Sequence, residues 1–435
     1  MSQSPIEILA RSRMGAMQFV AVAMCVALNA LDGFDVLAIS FAAPGIAEQW
    51  GIDRGALGVV LSMELIGMAV GSVLLGTIAD RIGRRPTILS CLALMAGGMV
   101  GAALAHSVAE LSAYRLLTGL GIGGMLAAIN AMAAEYANQK NRSFAVTIMA
   151  AGYPLGAIAG GSITTVLLTH YPWQSVFVFG AAATAVFIPL VWFLLPESVE
   201  YLARRQPRGA LERINRTLRR MGHETVETLA PIEQGTKKSA GMASLFAADL
   251  RVRTLVLTLA YFAHIMTFYF IIKWIPKIVV DMGYHPSEAA GVLVWANVGG
   301  ASGAILLGLL STRINVRWLV IGALAVGFAL VAYFGQGQAD LRELALVAAC
   351  AGFFTNAAIV GFYALMALAF PTDVRAGGTG FVIGVGRGGA ALGPIVAGYL
   401  FVAGAGLDLV AMVMASGSVV AAISLVALRL RTAQS

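Results

Sequence analysis

The chain has 435 residues, of which 59% are hydrophobic and only 12% are charged. Soluble domains carry roughly 25% charged residues, so this composition excludes an ordinary soluble protein and predicts an integral membrane protein. The net charge of +7 does not indicate nucleic-acid binding, because most Lys and Arg residues fall in alternate loops and at the two termini, which is the positive-inside pattern. The three cysteines lie in separate apolar segments, too scattered for a disulfide framework or a metal cluster.

Twelve apolar segments are long enough to cross a membrane as helices, which predicts an all-α membrane protein. They lie at about 18–43, 56–78, 86–105, 110–135, 143–168, 173–195, 252–275, 287–312, 317–335, 341–370, 375–402 and 406–430. A polar segment follows the sixth span. We therefore expect an N-terminal six-helix bundle at 1–195, a cytoplasmic loop at 196–250 and a C-terminal six-helix bundle at 251–435, with both chain termini in the cytoplasm.

The first span contains two carboxylates, Asp32 and Asp35. They lie roughly 21 to 26 Å into a hydrocarbon core about 30 Å thick, where a carboxylate costs at least ~2.5 kcal/mol and must face a cavity or a partner. Their i, i+3 spacing puts them on one helix face, so they should titrate as a pair. This arrangement predicts proton carriers, with permanently paired structural carboxylates as the alternative.

The second and fourth spans each contain one charged residue in their apolar part. Arg115 lies roughly 8 Å from the outer end of the fourth span and needs an acidic partner. Because Asp35 reaches a similar depth, we expect these two residues to pair and protonation of Asp35 to release Arg115; a static clamp is the alternative. Glu64 is either a further proton site or a partner for Arg387.

The seventh span contains His264 and Lys273. Lys273 lies roughly 31 Å from the inner end of its span, beside Trp274, so snorkelling toward the outer interface explains it, with substrate contact as the alternative. His264 lies nearer the middle of the span. It is either a hydrogen-bonded packing residue or a substrate contact.

The eleventh span places Arg387 near the membrane midplane, roughly 18 Å deep. The glycine-rich sequence around it lets neighbouring helices or a ligand approach closely. A guanidinium presents a planar fork that binds a carboxylate through two hydrogen bonds. Arg387 is therefore predicted to bind an anionic substrate, and a standing ion pair with Asp32 or Glu64 is the alternative.

Other polar residues near span centres could contact a substrate, although tyrosines at helical spacing are more often packing residues. These candidates are Asn130, Tyr153, Tyr269, Asn356 and Tyr363. The sequence contains no metal-ligand spacing, no phosphate-binding loop and no nucleophile elbow. We therefore expect no metal, no cofactor and no enzymatic activity, with an ion gradient as the energy source.

The two halves of the chain share a pattern of glycines and charged residues. Gly76, Asp80, Arg81 and Arg85 in the first half recur at the same spacings as Gly308, Thr312, Arg313 and Arg317 in the second. Two six-span repeats with a site near the midplane are the architecture of one large class of secondary transporters. Thr312 departs from the acidic residue of the first copy, so we do not expect the second loop to have the same gating role.

These motifs resemble those of the major facilitator superfamily. The segment 76–86 resembles its loop-2/3 motif, 115–123 resembles its span-four motif, and 196–198 is typical of its metabolite-uptake branches. The resemblance implies that Asp80 faces the N-terminus of the eleventh span. The residues expected to act in gating are Gly76, Asp80, Arg81, Arg84, Arg85, Glu135 and Arg142.

Within that superfamily, the segment 32–35 resembles the span-one motif of the aromatic acid:proton symporter family. Asn130 followed by Glu135 and Tyr136, and the glycines around Arg387, resemble the same family. The resemblance implies a monomeric inner-membrane protein that takes up a hydroxybenzoate- or benzoate-like acid with protons by alternating access, without a nucleic-acid partner. The expectation of an anionic substrate also follows from Arg387 itself.

Other functions stay open at this point. A symporter for a non-aromatic acid such as shikimate or quinate, or an efflux antiporter, would share most of these features. The fifth span argues against efflux, because 152–156 lacks the adjacent Gly-Pro pair usual in exporters of this superfamily. A channel or an intramembrane enzyme is a more distant alternative, since a channel would be expected to carry rings of like residues from symmetric subunits.

Overall fold

The computed structural model describes residues 4–230, 242–247, 250–338 and 340–428. Within these ranges the backbone forms α-helices joined by short loops, together with one short 3₁₀ helix at Met242–Phe246. The α-helices are α1 Pro5–Arg11, α2 Ala16–Trp50, α3 Arg54–Ile82, α4 Arg84–Ala103, α5 Val108–Tyr136, α6 Arg142–His170, α7 Gln174–Leu194, α8 Val199–Arg205, α9 Ala210–Arg220, α10 Arg251–Asp281, α11 Pro286–Leu310, α12 Val316–Phe334, α13 Leu341–Ala369, α14 Thr372–Val402 and α15 Leu407–Ala427.

Twelve of these helices are long and apolar enough to cross a membrane, which confirms the predicted all-α membrane protein. They are α2–α7 and α10–α15, so six spans precede and six follow the polar segment. Parts of that segment (231–241 and 248–249) and the end of the predicted twelfth span (429–430) lie outside the described residues. The protein is therefore a multi-pass membrane protein.

Several helices run past the predicted span ends. Helix α2 has 35 residues and includes Pro44, and α10 has 31 residues and includes Pro276. The sequence-based limits followed the apolar run, which ends where the hydrocarbon ends. About 20 residues suffice to cross the hydrocarbon core, so the further turns of these two helices exceed what crossing requires.

Glycines allow α2 and α6 to pack with their backbones almost in contact. A Cβ atom at Gly156 would lie 1.7 Å from the carbonyl oxygen of Ala30, and one at Gly33 would lie 2.0 Å from that of Tyr153. Neither position can carry a side chain without separating the helices, so small residues set this helix–helix distance. Gly33 lies between the two carboxylates of α2, so this contact places Tyr153 beside them.

The chain divides into two compact units. The first comprises Met1–Val36, Gly67–Ala159 and Phe177–Thr236, and the second comprises Leu37–Ile66, Gly160–Val176 and Lys237–Ser435. The unit boundaries cross four helices, so the C-terminal part of α2, the N-terminal half of α3, the end of α6 and the first three residues of α7 belong to the second unit. The three-part division expected from the sequence stays a prediction.

Candidate functional site

The two carboxylates of α2 are buried in the first unit. Asp32 is 1% exposed and Asp35 is fully buried. A Cβ atom at Gly180 would lie 3.4 Å from Oδ1 of Asp35, so this carboxylate faces α7. Asp32 lies within electrostatic range of Cys91 on α4. Both acidic groups are therefore enclosed by protein, which fits the requirement that a carboxylate inside a membrane avoid lipid.

Arg115 on α5 is fully buried beside the same part of α2. Its Nη2 donates a hydrogen bond of 2.9 Å to the main-chain carbonyl oxygen of Asp35, and its Nη1 lies 3.3 Å from Sδ of Met99. The guanidinium also lies 5.4 Å from the ring centroid of Phe177. The main-chain carbonyl oxygen keeps its lone pairs whether or not Asp35 is protonated, so this acceptor stays available in both states. Release of Arg115 by protonation stays a prediction.

Lys273 and Glu64 form an ion pair inside the second unit. Both side chains are fully buried, and Nζ of Lys273 lies 3.5 Å from Oε2 of Glu64. The expectation that Lys273 snorkels to the outer interface is therefore wrong. The neighbouring Trp274 donates through Nε1 to the carbonyl oxygen of Pro394, 3.2 Å away, so α10 is held against α14 beside the ion pair.

The N-terminal half of α3 has a second ionic contact with α10. Nη2 of Arg54 lies 2.8 Å from Oδ2 of Asp281, and the Arg54 guanidinium lies 4.7 Å from the ring centroid of Phe401. A Cβ atom at Gly58 would lie 2.5 Å from the carbonyl oxygen of Pro394. Two ion pairs and one close backbone approach therefore join this part of α3 to α10 and α14.

His264 uses both ring nitrogens inside the second unit. Nδ1 lies 3.0 Å from Oγ of Ser418, and Nε2 lies 2.8 Å from the carbonyl oxygen of Thr355. The side chain is fully buried. This geometry joins α10 to α13 and α15, which is what the packing alternative predicts. A substrate contact would require one of these hydrogen bonds to break.

Arg387 on α14 is half-buried and lies among tyrosines of the second unit. Its guanidinium is within electrostatic range of the hydroxyl groups of Tyr261 and Tyr269 on α10. Glu64 is also within range of Tyr269, so the ion pair of α3 and α10 lies near this group. Sequence reasoning missed Tyr261; its position two helical turns before Tyr269 was the available signal.

Three further candidate substrate residues divide between a packing contact in the second unit and positions in the first unit. Asn356 donates through Nδ2 to the carbonyl oxygen of Gly300, 2.9 Å away, which joins α13 to α11. Asn130 is exposed and Tyr153 is half-buried, and both belong to the first unit. The structure thus brings together Arg387, Tyr269, Glu64 and Lys273 in the second unit, and Asp32, Asp35, Arg115 and Tyr153 in the first.

A polar network surrounds the N-terminus of α4 in the first unit. Oε1 of Glu197 accepts hydrogen bonds from the backbone N–H groups of Arg84 and Arg85, at 2.9 and 3.2 Å. A carboxylate at this position satisfies N–H groups that the helix leaves unpaired and complements the helix dipole. Gly83 has φ +110°, and a Cβ atom there would lie 2.3 Å from Oε2 of Glu197, so this approach requires glycine.

Side chains of the predicted gating residues complete this network. Arg84 pairs with Asp80 one turn earlier, and its Nη2 lies 3.5 Å from Oε1 of Glu135. Glu135 accepts a hydrogen bond from Ser198. Nε of Arg142 donates to the carbonyl oxygen of Ala134, 3.1 Å away, and Arg85 donates to that of Trp192. A Cβ atom at Gly76 would lie 3.5 Å from Cβ of Ala127, which is an ordinary contact.

Sequence reasoning missed the central acceptor of this network. Glu197 was noticed only as part of the 196–198 motif, because its role depends on α4 beginning beside the end of the sixth span. Its main-chain carbonyl also accepts a hydrogen bond of 2.7 Å from the hydroxyl of Tyr136. The hydroxyl of Tyr201 donates to the carbonyl oxygen of Arg81, and Nε of Arg205 donates to that of Asp80.

Comparison with known proteins is consistent with this architecture. A sequence profile of the Major Facilitator Superfamily matches residues 25–298 and 257–435. The chain is 31% identical over 414 residues to a gallate transporter of Pseudomonas putida, covering 95% of this chain and 92% of that protein. It is 32% identical over 381 residues to the 4-hydroxybenzoate transporter PcaK of Pseudomonas putida, covering 86% and 84%. It is 30% identical over 376 residues to a benzoate transport protein of Acinetobacter baylyi, covering 85% and 80%.

Proposed function

Because the chain belongs to the Major Facilitator Superfamily, as its motifs predicted, we propose that it takes up a small aromatic carboxylate together with protons by alternating access. The protein acts as a transporter and not as an enzyme, works as a monomer in the inner membrane, and keeps both termini in the cytoplasm. The names of its relatives support an aromatic acid as the substrate, since gallate, 4-hydroxybenzoate and benzoate are all aromatic carboxylates.

The observation that carries the proposal is a half-buried arginine on a membrane-spanning helix, with two tyrosines of α10 within electrostatic range. A guanidinium inside the membrane needs an anionic or polar partner, and its two parallel N–H groups match a carboxylate. Tyr269 is half-buried and within electrostatic range of Arg387, and it supplies an aromatic ring against which a benzene ring can pack. An aromatic carboxylate can therefore bind the guanidinium through its carboxylate group and pack its ring against the tyrosine.

We assign binding of the coupled proton to the two carboxylates of α2. Asp32 and Asp35 are buried one turn apart, and a buried carboxylate that can gain or lose a proton provides a carrier for it. Uptake against a concentration gradient then follows if the substrate-loaded protein changes between its outward- and inward-facing states only when the carboxylate is protonated. A bound aromatic acid would shift the population of states by its differential affinity for them.

Reconstitution in proteoliposomes tests the proposal. Purified protein is supplied with labelled benzoate, 4-hydroxybenzoate, gallate, shikimate and quinate, with and without an imposed pH gradient. We expect accumulation of one or more aromatic acids above the equilibrium level only when the lumen is the more alkaline side. Transport of shikimate or quinate alone would replace the aromatic assignment, and export driven by an inward proton gradient would indicate an efflux antiporter.

Arg387→Lys should raise the half-saturation constant for the acid by roughly ten- to a hundred-fold. Lysine keeps the charge but loses the planar fork, so one charge-assisted hydrogen bond of about 1.5–3 kcal/mol is lost. Arg387→Ala should abolish binding while the protein still folds. Arg251→Lys, at the exposed start of α10, is the matched control and should leave the constant unchanged. Unchanged affinity in Arg387→Lys would place the anion site elsewhere, with Lys273 examined next.

Asp80→Asn should leave membrane insertion intact and slow net uptake by roughly two- to five-fold. The change removes the carboxylate that pairs with Arg84 beside the start of α4, and a charge near a helix terminus contributes roughly 0.3–1 kcal/mol to the balance between states. Glu212→Gln is the control, because it removes an exposed i, i+4 pair with Arg216 on α9. Equal uptake rates in both variants would exclude a gating role for Asp80.

A further inference from the structure

Tyr261 and Tyr269 of the second unit lie within electrostatic range of Arg387, and Tyr363 lies within range of both tyrosines. Oη of Tyr261 lies 3.4 Å from Oη of Tyr363 on α13, and the two ring centroids are 6.2 Å apart. Tyr269 is within electrostatic range of both Tyr363 and Arg387. These tyrosines come from two helices, and the guanidinium comes from a third.

The contacts of Tyr261 determine its orientation. A Cβ atom at Gly386 would lie 2.3 Å from Cδ1 of Tyr261, so the ring lies directly on the backbone of α14, one residue before Arg387. On its other side the ring meets Phe362 edge to face, with centroids 5.6 Å apart. Tyr261 is only 4% exposed. Its ring is therefore held in place, and its hydroxyl stays beside that of Tyr363.

Tyr363 is the accessible member of the pair. It is 44% exposed, yet its hydroxyl is close to that of Tyr261 and therefore points toward α10. A phenolic hydroxyl can donate one hydrogen bond and accept two, so a pair joined by one hydrogen bond keeps one donor and further acceptor capacity. A hydroxyl group carried by a ligand could use that capacity.

We propose that Tyr363 recognises a ring hydroxyl of the substrate, with Tyr261 as a positioning residue that orients the Tyr363 hydroxyl. This inference rests on the proposed function and narrows its substrate class to hydroxylated aromatic carboxylates, in preference to unsubstituted benzoate. Arg387 takes the carboxylate, and the tyrosine pair takes the phenolic group. The relatives include transporters of both hydroxylated and unsubstituted acids, so they leave this choice open.

The physical basis is the cost of leaving a polar group unpaired. When 4-hydroxybenzoate binds, its hydroxyl can take over the hydrogen bond that an exposed tyrosine hydroxyl otherwise makes with solvent. When benzoate binds, a C–H group faces the same site, and the displaced hydrogen bond is not recovered. Sites that hydrogen-bond a substrate hydroxyl discriminate against the analogue that lacks it. For one partly exposed hydroxyl, we expect about a ten-fold preference.

Competition uptake in proteoliposomes tests the inference with benzoate, 4-hydroxybenzoate and gallate as probes. The wild-type protein should bind 4-hydroxybenzoate about ten-fold more tightly than benzoate. Tyr363→Phe should remove most of this preference by weakening 4-hydroxybenzoate binding while leaving benzoate binding within about two-fold. Tyr261→Phe should reduce the same ratio, which a purely structural role in packing would leave unchanged.

Tyr333→Phe is the matched control. Tyr333 has the same 44% exposure as Tyr363, but its hydroxyl donates to Glu343 at the start of α13. This variant should keep the wild-type preference. Equal affinities for benzoate and 4-hydroxybenzoate in the wild type, or an unchanged ratio in a folded Tyr363→Phe, would overturn the inference and leave the proposed function standing. Failure to transport any of the three acids would overturn the proposed function itself.

Discussion

Asp35→Asn should abolish uphill accumulation of the substrate while sparing part of the exchange of substrate across the membrane. Asparagine has nearly the shape of aspartate but cannot carry a proton under physiological conditions. The hydrogen bond from Arg115 to residue 35 ends on the main-chain carbonyl, so it should survive the substitution. The loss should therefore fall on coupling and not on the fold.

Two vesicle assays separate these effects. Accumulation is measured with an imposed pH gradient, and exchange is measured with equal substrate on both sides and no gradient. Asp408→Asn, which changes an exposed carboxylate in the first turn of α15, serves as the control and should accumulate normally. Asp32→Asn should be less selective, because it also alters the titration of its neighbour. If Asp35→Asn still concentrates substrate, the proton assignment fails and Glu64 becomes the next candidate.

Lys273→Met should strongly destabilise the protein, whereas the double variant Lys273→Met/Glu64→Gln should recover most of the loss. The single change deprives the buried Glu64 of the ammonium that lies 3.5 Å away. Breaking a buried ion pair by removing one partner costs about 3–5 kcal/mol, because the other charge is left uncompensated. Replacing both charges removes that cost, since the remaining side chains are uncharged and of similar volume.

Thermal unfolding in detergent, together with the yield of folded protein, measures this interaction. Lys277→Met is the control, because Lys277 pairs with Asp281 in a partly exposed position on the same helix and surface pairs contribute about 0–1 kcal/mol. A single Lys273→Met variant as stable as the control would mean that the pair contributes little. If the double variant is stable but does not transport, the pair is required for transport in addition to folding.

The sequence predicted the membrane spans correctly and the extent of several helices less well. Apolar runs marked all twelve spanning helices, but α2 and α10 continue beyond the predicted ends. The reason is that hydropathy reports where the hydrocarbon ends, whereas a helix ends where its backbone hydrogen bonds end. The motif at 196–198 was recognised, but its contact with the start of α4 was not, because that contact joins segments more than a hundred residues apart.

Charged residues inside the spans could be found without a structure, but their partners could not. The cost of burying a charge belongs to each residue and its depth, so Asp32, Asp35 and Arg387 stand out from the sequence alone. Partner choice depends on how each helix is rotated and how far it is shifted along its axis. Only the packing of α3 on α10 revealed that Lys273 pairs with Glu64 and does not snorkel.

Local sequence thus determined that this protein spans a membrane twelve times and which of its segments cross. It also determined where ionisable groups enter the apolar region. It could do so because hydrophobic transfer and backbone hydrogen bonding act within each segment. The tertiary structure decided that His264 joins three helices, that Tyr261 lies against α14 beside Arg387, and that Glu197 caps α4. These contacts join segments far apart in the chain, and small residues such as Gly386 and Gly83 permit the close approaches. Their geometry follows from helix packing, which no single segment encodes.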